Sequence, residues 1–497
     1  MYSTRKSYPK SKTRLGKEKT MSAIVLYTGQ NREVMNKALK TMVHRGESLT
    51  AIETEDGQLL GSIRGRAFSD GSLRFSSHEG SAIMDGFLIS SDVNEPEWAR
   101  EILRLYEDQG EGFLKDLEGP FALAVSTRGK TLIARDPLGL KPLYYGHIGQ
   151  DMLFASELKA VSSVCRDVAV FPPGNFFTFD KGFQEYSTFD ELINPEIDGV
   201  DRDQAIDNVR RTLENSVEKR LASIDCEPVV FLSGGLDSSC IAAVTSLHID
   251  NLKTFTVGYN GGEDPEFARV VSEHLNTEHI EYLYDLEDML QVLPEVIYHL
   301  ESFDPLLVRS AIPNYIVSKL AAEKGFSFVF MGEGADELFA GYDYMKRMES
   351  GESVEAELLR ITENAHLSGF LRDDRMALAH GLEYDVPFMD LDMLNLAFSL
   401  PLKWKMHGSE KVEKWILRKA FESELPDEVV WRKKEKFSAG AGSYDIMSEY
   451  AEKQISDSEF EANSDGATVR SKEELLYFRI FKEYFPCKGA IETVYQN

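Results

Sequence analysis

The run "PVVFLSGGLDSSCIAAV", residues 228–244, constrains the fold of this chain more than any other stretch. Val229, Val230, Phe231 and Leu232 form a β-branched, apolar run that reads as a buried strand. The run breaks at Ser233-Gly234-Gly235, and Asp237 onward reads as a helix start, because Asp and Ser cap free backbone N–H groups. A strand feeding a Gly-rich turn at a helix N-terminus points N–H groups outward, and glycines let an anion approach the backbone closely. A tight turn without a ligand is the alternative, and the density of Gly and Ser weighs against it. The turn lacks the Gly-Lys-Ser/Thr ending of loops that cradle β- and γ-phosphates. A nucleotide is expected here, with cleavage elsewhere than at the γ-phosphate.

A second turn, "MGEGADELFAGYDY", sets Glu333, Asp336 and Glu337 around two glycines. Carboxylates at the mouth of a phosphate-binding turn repel an anion unless a hard cation lies between them. Mg2+ fits, because it takes carboxylate and phosphate oxygens together. Asp237 and Asp336 are the candidate ligands; a pair of helix N-caps is the competing reading, and both roles can hold at once. Farther on, "WRKKEKFSAGAGSY" concentrates Arg432, Lys433, Lys434 and Lys436 before another glycine turn. One of these cations suits an α-phosphate or a departing pyrophosphate, whereas Lys433 and Lys436 read better as solvated charge.

A chain of 497 residues forms two or three domains. Residues 21–185 alternate short strands with tight turns ("SAIVLYTG", "GPFALAVST", "KTLIARD", "GNFFTFD"), as in a layered β-rich domain. A polar, acidic stretch, "YSTFDELINPEIDGVDRDQ", reads as the linker. From 203 to 497 apolar strands alternate with helices, which implies an α/β domain with a parallel sheet and ligands at the carboxyl ends of its strands. Net charge is −28, which argues against nucleic acid or an anionic membrane as partner. Residues 1–20 carry seven Lys or Arg and one acid, so the remainder is near −34. That leader reads as a disordered tail. There is no run of 18 apolar residues to span a membrane. Cys165, Cys226, Cys240 and Cys487 lie far apart, as buried thiols of a reducing, cytoplasmic setting do, and form no zinc motif.

Taken together, these motifs resemble the asparagine synthetase family. "SGGLDSS" is similar to the pyrophosphate loop of its synthetase domain, which is of the PP-loop ATP pyrophosphatase type. "GEGADELFAGY", "ESFDP…VRSAIPNYIVSK" and "RKKEKFSAGAG" resemble its later signatures. "VHRGES", "EGPFALAV", "RDPLGLKPLYYG", "SELKAV" and "PPG" resemble its Ntn-type glutaminase domain. The resemblance implies an Ntn αββα sandwich followed by a PP-loop α/β domain. It also implies ATP and Mg2+ as cofactors, and an acid such as aspartate adenylated at its carboxylate and then amidated. By position, Ser233, Gly234, Gly235, Asp237, Ser238 and Ser239 would hold pyrophosphate and metal, with Asp336 as second metal ligand. Leu232, Val257 and Gly332 would border the adenosine, and Glu333 would sit by the adenylate. Lys434 would face the α-phosphate and Arg309 would grip the substrate's α-carboxylate.

The chain departs from the family in two places. Leu306-Leu307 stand ahead of Arg309 where Thr-Thr is usual, and Glu383-Tyr384-Asp385-Val386-Pro387-Phe388 replaces Glu-Ala-Arg-Val-Pro-Phe. Both changes put aspartate in doubt. Met21-Ser22-Ala23-Ile24 stands where active members begin Met-Cys-Gly-Ile, and an Ntn nucleophile needs its own free α-amine as base. Asp85-Gly86 replaces the Asn-Gly oxyanion turn, and Phe87 replaces the Glu that holds glutamine's amino group. The expectation is a retired glutaminase beside an intact AMP-forming synthetase fed by ammonia. A β-lactam synthetase-like enzyme, and a catalytically silent regulatory homologue, are the alternatives; a homodimer is left open.

Overall fold

The computed structural model describes residues 19–46, 48–54, 57–69, 74–76, 80–89, 98–193, 201–224, 226–348, 350–432, 444–462 and 468–495. Alternation along β1 (Lys19–Tyr27) organises the first half. Ile24 and Leu26 enter a core with Ala82, Met84 and Leu123, while Ala23, Val25 and Tyr27 join Met35, Ala38 and Leu39 of the helix Arg32–Lys40. A strand buried on both faces belongs to an inner layer.

The other strands of that half are β2 (Ser48–Glu53), β3 (Leu59–Ser69), β4 (Arg74–Ser76), β5 (Gly80–Gly86), β6 (Phe121–Thr127), β7 (Lys130–Arg135), β8 (Tyr144–Ile148), β9 (Asp151–Ala155), β10 (Val168–Val170), β11 (Asn175–Thr178) and β12 (Gly182–Glu185). Among the described residues they form two six-stranded antiparallel sheets, ordered β10-β8-β9-β1-β3-β2 and β12-β11-β7-β6-β5-β4. The helix Arg32–Lys40 packs on the first sheet and Trp98–Gln109 on the second, giving the αββα order of layers.

Two details differ from the sequence reading. β1 starts at Lys19, paired with Ser69 of β3, so the last two residues of the expected leader are strand: ladder pairing outweighs their polar composition. The expected linker begins with a short helix, Phe189–Leu192, because Thr188 and Glu191 form a capping box. The register of β1 against β3 shifts between Met21 and Ala23, so Ser22 stands at a bulge inside the strand.

The second half opens with the helix Arg202–Ala222, capped by the Asp201 side chain accepting from the Gln204 amide at 2.8 Å. It then builds a five-stranded parallel sheet from β13 (Val229–Phe231), β14 (Lys253–Tyr259), β15 (Glu278–Tyr284), β16 (Phe328–Phe330) and β17 (Glu383–Asp385), ordered β15-β14-β13-β16-β17. The chain winds outward from β13 in one direction, then returns to lay β16 on its other side. In an open parallel sheet that reversal leaves a crevice at the carboxyl ends of the two central strands. Both Gly-rich turns leave those two ends. No helix among the described residues is long and apolar enough to cross a membrane. All four cysteines are free thiols.

Candidate active site

The two turns touch through a glycine. A Cβ on Gly332 would lie 2.7 Å from the Ser238 nitrogen, so only glycine lets the backbones meet. Gly234 has φ +73° and abuts the helix Asp264–Leu275, where a Cβ would lie 2.5 Å from the Ala268 nitrogen. Hydroxyls tie the first turn internally: the Ser233 amide donates to Ser238 Oγ at 3.1 Å, the Gly235 amide to Ser233 Oγ at 3.3 Å, and Ser239 Oγ to the Gly235 carbonyl at 2.7 Å. Gly235 is the N-cap of the helix Leu236–Ser246 and brings no side-chain cap, which leaves that helix end to the dipole and the turn. Leu232 extends the ladder, its amide donating to the Phe255 carbonyl at 2.8 Å, and buried Val257 follows on β14.

The Asp237 and Asp336 side chains, expected as metal ligands, lie close enough together to share one cation of the chain. That cation is the Lys414 ammonium, 2.5 Å from Asp237 Oδ2 and 2.5 Å from Asp336 Oδ1. Lys414 is 2 % exposed and has φ +53° as N-cap of the helix Trp415–Phe421. Burial alone would lower its pKa, but the two carboxylates outweigh burial and raise it above the ordinary lysine value. The described residues hold no group of three or more His, Cys, Asp or Glu suited to a metal. Two carboxylates beside a phosphate-binding turn do fit Mg2+, which keeps waters and takes its remaining ligands from substrate phosphates.

The other assigned residues are held as follows. Glu333 forms a close ion pair with Arg372 and is half-exposed. Arg309, on the helix Pro305–Glu323, engages Glu473 with both Nε (2.7 Å) and Nη2, and Tyr477 donates to the same Glu473 at 2.8 Å. The fork assigned to a substrate carboxylate is thus engaged by a carboxylate of the chain itself. Leu307 is buried, whereas Leu306 is exposed. Arg432 pairs with Asp264 at 3.0 Å and stacks 3.9 Å from the Phe267 ring centroid, beside the helix that Gly234 abuts. Lys433, Lys434 and Lys436 lie outside the described residues. The charge reversal at Asp385 is compensated by Arg220, which pairs with Asp385 at 2.5 Å and Asp390 at 2.8 Å, all fully buried.

In the first half, two positions that depart from the family, Asp85 and Phe87, are buried. Asp85 is wholly buried, 3.3 Å from Arg45 and 3.7 Å from Lys141. Burial pushes its carboxyl up, against the pull of those two cations. Phe87 packs edge-on to Phe328 of β16, with ring centroids 6.0 Å apart.

The architecture is thus an αββα sandwich followed by an α/β half whose parallel sheet carries two Gly-rich turns at its switch point. Comparison with known proteins gives the family. Residues 208–368 and 346–493 match asparagine synthase, and 97–163 match a glutamine amidotransferase domain. The chain is 35% identical over 428 residues to a probable glutamine-hydrolyzing asparagine synthetase of Dictyostelium discoideum, covering 79% of this chain and 77% of the other. It is 37% identical over 421 residues to asparagine synthetase B of Escherichia coli, covering 79% and 74%. Among solved structures it is similar to a glutamine phosphoribosylpyrophosphate amidotransferase from B. subtilis, at 16% identity and TM-score 0.28, over 52% of this chain and 65% of that chain. The chain belongs to the asparagine synthetase family, whose members are ligases.

Sequence reasoning missed Lys414 and Arg372. Lys414 lies in "SEKVEKWILRK", where charges at helical spacing look solvated. Its partners are 177 and 78 residues away, and its left-handed backbone leaves no compositional trace.

Proposed function

We propose that this chain is an ATP- and Mg2+-dependent, AMP- and pyrophosphate-forming amide synthetase that activates the side-chain carboxyl of aspartate and amidates it with free ammonia. The single observation that carries this reading is the convergence of Asp237 and Asp336 on one cation beside a phosphate-binding turn. The Ser233–Ser239 turn and its helix N-terminus bind the pyrophosphate portion of ATP. Mg2+ held by Asp237 and Asp336 would neutralise charge on the phosphates. Lys414 adds a fixed positive charge on the same side, and Lys434 is the cation assigned by family position to the α-phosphate. The substrate carboxylate attacks the α-phosphorus and expels pyrophosphate; ammonia then attacks the acyl-adenylate and expels AMP. A carboxylate is a poor electrophile, and AMP supplies the leaving group, so the protein mainly orients reactants and stabilises charge. Glu333 lies beside the adenylate and accepts a proton from the incoming amine.

Free ammonia as nitrogen source is supported by the first half. Asp85 would set a carboxylate where a donor should face a developing oxyanion, and it is buried in ion pairs. Phe87 fills the place of a glutamine contact with a domain contact. Engagement of Arg309 by Glu473 favours, as a second reading, the same chemistry on a different acid. Exchange of labelled pyrophosphate into ATP across a panel of amino acids tests the proposal. Exchange with aspartate supports it, exchange with another acid alone moves it to the second reading, and no exchange with any acid removes it.

A further inference from the structure

Four consecutive residues of the helix Gly369–Leu378 reach in different directions. Arg372 reaches forward to Glu333 at the second turn. Its Nε and Nη2 also donate to Asp373 Oδ1 at 3.1 and 3.0 Å, and Asn314 donates to that same oxygen at 2.9 Å. Asp374, wholly buried, faces the first domain: Arg45 is 3.3 Å away and Lys141 3.6 Å. Arg375 is 3.0 Å from Asp374, and it donates to the Ser156 carbonyl at 3.1 Å in that domain. The helix is therefore gripped by the first domain at Asp374 and Arg375, and it grips the synthetase turn through Arg372. Buried ion pairs have excellent geometry or they destabilise. A helix tied on both sides has little freedom to slide.

We propose that Arg372 is the positioning residue for Glu333, and that Arg45 and Lys141 set it through Asp374, so that the retired domain serves as the platform of the synthetase site. This rests on the adenylating function proposed above. Arg45 and Lys141 are the same cations that neutralise Asp85, so replacement of the oxyanion turn and support of the helix are parts of one buried network. The first domain then has a role that does not involve glutamine.

The test is a double-mutant cycle on purified full-length protein, assayed for ammonium-dependent amide formation with the acid that supports pyrophosphate exchange. Arg372→Gln should lower kcat by about 10- to 100-fold, the loss typical of a misplaced reacting group. KM for ATP, and the shift in melting temperature produced by ATP with Mg2+, should stay unchanged. Arg372→Lys should recover part of the loss, because it keeps the charge. Asp374→Asn, which keeps the shape, should lower kcat alone, and combined with Arg372→Gln it should add almost nothing. Losses that multiply overturn the relay, and so does full kcat in folded Arg372→Gln. Wild-type protein that gives no exchange with any acid overturns the adenylating function, and the relay with it; wild-type exchange with an unimpaired Arg372→Gln overturns the relay alone.

Discussion

The two Gly-rich turns of the second half and the Asp85-Gly86 turn of the first both hold carboxylates, but they neutralise them differently. Asp237 and Asp336 share the Lys414 ammonium and keep part of their surface open, 21% and 16% of the side chain. Asp85 is 0% exposed and lies between Arg45 and Lys141, which answer further acids behind it. One arrangement leaves carboxylate surface facing a crevice; the other is wholly buried between cations. A site that binds a charged ligand must carry charge that is incompletely answered within the protein, and a site that has stopped binding one can turn the same residue types into structure.

The sharpest way to break this contrast is Asp85→Asn, which restores the amide usual at that turn. It leaves two buried cations short of a partner, so it should cost about 3 kcal/mol of stability in urea unfolding. It should add no glutaminase activity; release of glutamate by this variant would show that the turn is still a site. Asp237→Asn should act in the opposite way. It keeps the fold and lowers pyrophosphate exchange by roughly 10²-fold or more, about 3 kcal/mol of transition-state stabilisation. Near-normal exchange in that variant removes Asp237 from the metal.

A smaller effect belongs to pH. His44 and His299 meet edge-on where the two halves touch, with ring centroids 4.4 Å apart, and the Tyr315 ring centroid lies 4.4 Å from that of His380. Burial lowers all three histidines, His380 to about 4. A histidine with a depressed folded pKa takes up its proton more readily in the unfolded chain. Its contribution is therefore complete above about pH 6.5 and lost as pH falls toward 4. Asp136, raised to about 6 by burial, and the raised Asp85 and Asp373 act in the opposite sense. The readable quantity is thus a difference between variants. His380→Phe should lose about 2 kcal/mol less than wild type between pH 6.5 and 4.5, followed by urea unfolding. Parallel curves would remove His380 from this pH response. Smaller still, Arg309→Lys should raise the acid substrate's KM several-fold if Glu473 yields to substrate, because the bidentate fork is lost. An unchanged KM would assign the Arg309–Glu473 pair wholly to structure.

Local chemistry made the strand-turn-helix at 229–246, the second turn and the β-rich first half legible, because strand period, glycine and capping residues act within a few positions; the αββα order of layers came from the family resemblance. Lys414 and Arg372 were not legible, nor was the compensation of Asp385 by Arg220, 165 residues earlier. Which distant charge answers a buried one is decided by topology. The departures at Asp85 and Phe87 were visible in the sequence, but the ion pair of Asp85 with Arg45 and the packing of Phe87 on β16 join residues far apart in the chain.

The measurement that bears most directly on the contrast assays both halves in one preparation of native protein. Labelled pyrophosphate exchange and glutamate release from glutamine are followed side by side, with Ser22→Ala as control. The account predicts exchange dependent on an amino acid, amide synthesis that responds to ammonium and not to glutamine, and no glutamate release from either protein. Glutamate release by the wild type that disappears in Ser22→Ala would contradict it, since an Ntn nucleophile needs its own free α-amine, whereas Ser22 stands inside β1.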